Sequence, residues 1–181
     1  VSFLRRARLI EPQELSPDVE GRLLAAPIGS APGAKGSPIR FVQFSGAMFF
    51  GSAGELRDAL DGLADDPGTR VLILRLKHTQ RLDYSSAEVI ASLSRRMKER
   101  DQTLLMAGMD ASALNTLKKS GVVAELGDNQ LFLSDAGFFR AAALAVEHAT
   151  TLVEAPEDPL VRWAKRELAR GDGRGVQELV P

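Results

Sequence analysis

The sequence predicts an α/β fold, with a central, mostly parallel sheet of four to five strands and about four to five helices packed on it. Three observations predict it. Val71 to Leu76 (VLILRL) is a near-continuous apolar run, as in a central strand covered on both faces. Segments with apolar residues at helical spacing alternate with short strand-like segments, the order that places parallel strands beside one another. Clusters of Gly, Pro and Asp separate them, as in Asp65-Asp66-Pro67-Gly68.

In chain order, residues 1–38 read as a linker. Pro12, Pro17, Pro27, Pro32 and Pro38 interrupt it, and Ile28 to Ser37 (IGSAPGAKGS) is rich in Gly, Ser and Pro, so no regular element is expected beyond a short helix around Asp18 to Ala25. Ile39 to Phe44 (IRFVQF) has the alternation of a half-buried strand and ends at Gly46, and Ala47 to Phe50 reads as a second short strand. Ser52 and Glu55 make a capping box for a helix whose Leu56, Leu60 and Leu63 share one face. After the VLILRL strand, a second helix is expected over Ser85 to Arg100, with Ile90, Leu93 and Met97 inside and Arg95, Arg96 and Lys98 solvated. Thr103 to Ala107 is the next strand. Asp110 opens a third helix, which carries Leu114 and Leu117 and ends at Gly121. Leu131 to Leu133 is a short last strand, and Ser134 or Asp135 caps a fourth helix reaching about Thr151. Beyond Pro156 and Pro159, Leu160, Val161, Ala164 and Leu168 line a fifth, amphipathic helix that dissolves at Gly171 into a tail. The predicted organisation is therefore a linker (1–38), a domain (39–151), and a C-terminal helix with its tail (152–181).

Composition narrows the chemistry. The 181 residues are 44% hydrophobic and 26% charged, a balance that supports a packed core. A net charge of -1 offers no footprint for nucleic acid, which requires clustered Lys and Arg. The absence of cysteine removes disulfides, thiolate nucleophiles and Cys-based metal sites, and His78 and His148 show no ligand spacing. No apolar run approaches the ~18–20 residues that span a bilayer. The chain opens on Val1, not Met, and is expected to be a piece of a longer protein. Its apolar Val1, Phe3 and Leu4 followed by Arg5, Arg6 and Arg8 suit either an ordinary basic terminus or the cytoplasmic flank of a membrane helix.

The segment with most chemical potential is the loop after the VLILRL strand, Arg81 to Glu88, because ligands of open α/β sheets sit beyond the carboxyl ends of the strands. Ser85 and Glu88 form a second capping box, which as a pattern is most often structural. A phosphate on Ser85 would meet the positive end of the helix dipole and repel the neighbouring Asp83, so Asp83, Tyr84, Ser85 and Ser86 are the candidate regulatory, phosphorylation or ligand residues. Gly51-Ser52-Ala53-Gly54 lacks the Lys of a phosphate-binding loop, and no Ser/His/Asp set or acid/base pair can be assembled. No catalytic residue and no metal site is expected. Phe49 and Phe50 read as core and Trp163 as the anchor of the last helix; all three are also candidates for a contact surface.

Three segments together resemble a known family. Val42 to Ala53 (VQFSGAMFFGSA) has an opening strand, a glycine, paired phenylalanines and a small-residue helix start. Val71 to Leu76 leads through Leu82 to Asp83-Tyr84-Ser85-Ser86. Leu104 to Gly108 is followed by Leu117, Gly121 and Gly127-Asp128-Asn129. Over roughly Ile39 to Thr151 the chain resembles the STAS domain, shared by sulfate transporters and anti-sigma factor antagonists, and the paired phenylalanines lean towards the C-terminal cytoplasmic domain of SulP-family anion transporters. The resemblance implies the STAS (SpoIIAA-like) fold and a non-enzymatic regulatory and interaction role on the cytoplasmic side of the cell membrane. Residues 1–38 then become a juxtamembrane linker. The partners implied are the transmembrane domain of the same transporter, a second copy in a homodimer of the full-length transporter, and a cytoplasmic regulatory protein. Nucleotide binding is implied by the wider family, although no residue here shows it. In place of the usual Asp-x-Ser/Thr-Gly loop, Tyr84 is bulky and Ser86 replaces the glycine; by position Ser85 corresponds to the serine phosphorylated in the antagonists. The rival reading is a free-standing antagonist-like phosphoswitch protein, and an enzyme ranks third.

Overall fold

The computed structural model describes residues 12–31, 34, 36–45, 53–77, 82–134 and 139–170. Six strands form one sheet in the order β2-β1-β3-β4-β5-β6. β3 (Ile39–Ser45), β4 (Val71–Lys77), β5 (Thr103–Met109) and β6 (Leu131–Leu133) run parallel, while β1 (Gln13–Pro17) pairs antiparallel with both β2 (Leu23–Pro27) and β3. Four parallel strands, with helices between them and on both faces, make the α/β arrangement expected from the sequence; the strand and helix numbers are slightly higher.

Each face of the sheet buries its own set of side chains, as strand alternation requires. Val42, Phe44, Leu72, Leu74 and Leu76 turn to one face, where α1 (Ala53–Ala64), α2 (Tyr84–Lys98), α3 (Ala111–Lys119) and the short α4 (Val122–Leu126) cover them. Ile39, Phe41, Val71, Ile73, Leu105 and Ala107 turn to the other, under α5 (Arg140–Ala149) and α6 (Pro159–Ala169). β4 lies between them with Val71, Leu72, Ile73 and Leu74 wholly inaccessible, which is why its sequence is apolar on consecutive positions. α5 packs through alanines, Ala142, Ala143, Ala145 and Ala149, whose small side chains let the helix approach the sheet closely.

The largest departure from the sequence reading is at the start of the chain. Residues 13–27, expected to hold no regular element or at most a helix over Asp18–Ala25, form the β1–β2 hairpin. Its turn is built by Asp18, whose carboxylate accepts the backbone N–H of Glu20 (2.9 Å) and of Arg22 (2.8 Å), while Gly21 supplies a φ of 80°. The prolines that argued against strands stand at strand ends, Pro17 closing β1 and Pro27 closing the outer strand β2, positions where a missing amide donor is best tolerated. A buried ion pair locks the hairpin to the sheet. Arg40 of β3 donates to both oxygens of Glu14, by Nε and by Nη2 at 3.0 Å, and its Nη1 reaches Asp66 at 2.8 Å. Glu14 also accepts the Gly29 N–H at 2.8 Å, so the buried carboxylate is fully engaged, and its hydrogen bond holds the Arg40 guanidinium above its ordinary pKa.

Helix boundaries differ in three further places. The helix expected from Asp110 to Gly121 is α3, with Asp110 as its N-cap, followed by the separate α4 once Gly121 takes a φ of 80°. α5 starts at Arg140 behind Phe139; Ser134 is no cap but ends β6, donating its N–H to the Met109 carbonyl at 3.0 Å. α6 starts on Pro159 itself, capped by the buried Asp158, whereas the sequence reading places both prolines before the helix. The expected strand at Ala47–Phe50, the Ser52 member of the first capping box, and Asp135 lie outside the described residues.

Candidate functional site at the start of helix α2

Leu82 is buried and pins the chain to the core just beyond the carboxyl end of β4. Asp83 then caps α2: its carboxylate accepts the Ser86 N–H at 2.8 Å, and its carbonyl takes the Ala87 N–H at 3.1 Å. The cap is thus Asp83, not Ser85, and Ser85 stands in the first turn of the helix. The reason is position: Asp83 has the extended backbone (ψ 169°) of a cap residue and reaches the amide three residues on, which leaves nothing for a Ser85–Glu88 box to satisfy.

The four loop residues divide by exposure. Tyr84 is 62% exposed, Ser85 is half-buried, and Ser86 is wholly buried with a hydroxyl that has no partner among the described residues. Tyr84 and Ser85 are therefore the outward-facing pair, and Ser86 is a core position whose hydroxyl costs hydrogen bonding. Among the described residues no group of three or more His, Cys, Asp or Glu could hold a metal. A shallow concavity between β1, the approach to β3 and the start of α6, lined by Glu14, Ser37, Phe41 and Asp158, lies at the opposite, amino end of the parallel strands.

Trp163 of α6 is 5% exposed, with its ring 6.1 Å from Phe41 and 5.8 Å, edge-on, from Phe139. It anchors the helix to the sheet, as expected from the sequence, and leaves little of its ring exposed. Phe49, Phe50 and His78 lie outside the described residues. His148 is half-buried against Phe132, with ring centroids 5.7 Å apart.

Sequence reasoning passed over Arg75. Its guanidinium is buried near the carboxyl end of β4, donates to Gln43 of β3, and lies 4.4 Å over the Phe139 ring. Burial pulls its pKa down to about 10, so it stays charged at neutral pH. Gly108 of β5, at φ 77°, passes close beside it: a Cβ there would stand 3.4 Å from Arg75 Cγ. The signal was visible, since both Arg40 and Arg75 interrupt apolar strand runs, where only a specific partner makes a charge tolerable.

The STAS domain family model matches residues 34–136, more than half of the chain and all of the parallel sheet with the loop into α2. The chain belongs to the STAS domain family. Solved structures share its fold. The murine solute carrier 26 family member A9 anion transporter in the inward-facing state is 15% identical, with a TM-score of 0.59 over 79% of this chain and 22% of that one. A second SLC26A9 structure gives 14% identity and a TM-score of 0.56 over 78% of this chain and 25% of that one. A sulfate transporter family protein from Wolinella succinogenes is 22% identical, with a TM-score of 0.51 over 69% of this chain and 97% of that one. This STAS chain spans a quarter or less of the two solute carrier structures. No curated protein matches it in sequence. No described helix is long and apolar enough to cross a membrane.

Proposed function

We propose that this STAS domain is a regulatory and interaction domain on the cytoplasmic side of a SulP-type secondary anion transporter of the sulfate, bicarbonate or dicarboxylate class, working through contacts and not through catalysis. The observation that carries it is the form of the loop into α2. A buried anchor (Leu82) and a capped helix start (Asp83) hold Tyr84 and Ser85 outward on a rigid edge, as a contact surface requires. The fold shared with anion transporters supports the same reading. The partner on that surface is the membrane part of the same transporter or a second subunit, and a nucleotide is a candidate modulator.

The test is uptake of the transported anion by the full-length parent, with and without residues 39–151. Uptake altered by the deletion, at unchanged surface expression, supports the proposal. Identical uptake removes it. One observation keeps the antagonist-like phosphoswitch as a second reading: Ser85 is reachable at the positive end of a 15-residue helix. Intact mass of protein from its native host, unmodified in every growth state, would end that reading.

A further inference from the structure

β2 is the last strand on its side of the sheet, and among the described residues nothing pairs with its outer edge. Its five residues, Leu-Leu-Ala-Ala-Pro, carry no charge, and Leu24 is 45% exposed. A bare apolar edge is a template for another strand, and folded proteins normally blunt or cover it. Here only Pro27, at its far end, does so.

α6 carries the chain towards that edge. The helix starts at Asp158, whose carboxylate accepts the Ser37 hydroxyl just before β3. Further along, the Arg166 guanidinium lies against Gly21, in the turn that opens β2, so closely that a Cβ on Gly21 would make it move. α6 therefore runs from the start of β3 past β1, and its last turns send the Arg166 side chain to the turn that opens β2. The sequence then continues with Gly171-Asp172-Gly173-Arg174-Gly175, followed by Val176-Gln177-Glu178-Leu179-Val180. The Gly-rich lead can span up to about 17 Å, whereas a new strand would lie about 4.8 Å from β2. Val176 to Val180 equals β2 in length and is rich in β-branched and apolar residues.

We propose that the outer edge of β2 is a strand-accepting site and that its occupant is this chain's own Val176–Val180, held by main-chain hydrogen bonds. The shortest route runs the added strand parallel to β2.

Amide hydrogen exchange on three proteins tests this: the full chain, a chain ending at Arg170, and the full chain carrying both Glu178→Pro and Leu179→Pro, which removes an amide donor facing β2 in either register. In the full chain, the β2 amides that point away from β1 exchange at least about tenfold more slowly than in either variant, while the β4 and β5 amides are unchanged. If shortening the chain unfolds it, the double proline variant alone decides. Open-strand exchange of those β2 amides in the full chain overturns the proposal. Protection that vanishes on dilution also overturns it, and assigns the edge to a second copy.

Discussion

Asp83 shows how much one side chain decides at the loop into α2. The sequence there offers Asp, Ser and Ser as caps, and propensity ranks them nearly equal. Which one serves depends on where β4 ends and Leu82 enters the core, a tertiary fact that local pattern cannot supply. Because the Asp83 carboxylate satisfies a helix amide, Asp83→Ala is expected to destabilise the domain by about 1 kcal/mol, with Asp83→Asn retaining most of the stability. Equilibrium denaturation in urea measures both. Glu14 poses a harsher case. It is 1% exposed and shared between Arg40 and the Gly29 amide, so Glu14→Ala leaves a buried guanidinium with, among the described residues, only the Asp66 contact. The expected loss is about 3 kcal/mol or more. A double variant that also replaces Arg40 with Met should recover part of it, and failure to recover would show that the ion pair is not the source of the loss.

At the scale of elements, α1, α2, α3 and α6 were legible from their helical hydrophobic period, and the parallel strands from short alternating or continuous apolar runs. The β1–β2 hairpin was not. Its strands are short, end in proline, and gain their burial from Arg40 and α6, residues far away in sequence. The turn chemistry of Asp18 and Gly21 was present, but its meaning depended on recognising strands on either side. The Arg40–Glu14 and Arg75–Gln43 pairs were hidden for the same reason: sequence marks an arginine in an apolar run but not the neighbour that makes it tolerable. α6 was legible as an amphipathic helix, and Trp163 explains why it stays docked. Truncating that side chain removes its contacts with Phe41 and Phe139 and leaves a cavity on the second face of the sheet. Trp163→Ala is expected to cost about 3–5 kcal/mol. Limited proteolysis should then cut first between Thr150 and Asp158, because losing the anchor frees α6 before it unfolds the four parallel strands.

For the whole molecule, the alternation of strands and helices was enough to give a mostly parallel sheet, but not the order of its strands. At the carboxyl edge, among the described residues, the fold sets an exposed Tyr84 beside a half-buried Ser85. Tyr84 is largely exposed while its neighbours Leu82 and Ser86 are buried, so its ring contributes little to the core. Tyr84→Ala should therefore shift the unfolding free energy by no more than about 0.5 kcal/mol, the range of ordinary surface substitutions. If the edge is the transporter's contact surface, the same substitution in the full-length parent changes anion uptake, and Ser85→Asp, which puts a second charge beside Asp83, changes it further. The two readouts separate the alternatives cleanly. Altered uptake at unchanged stability places the working surface of the domain at Tyr84 and Ser85; unchanged uptake from both variants, in a parent that still depends on residues 39–151, moves that surface away from the start of α2.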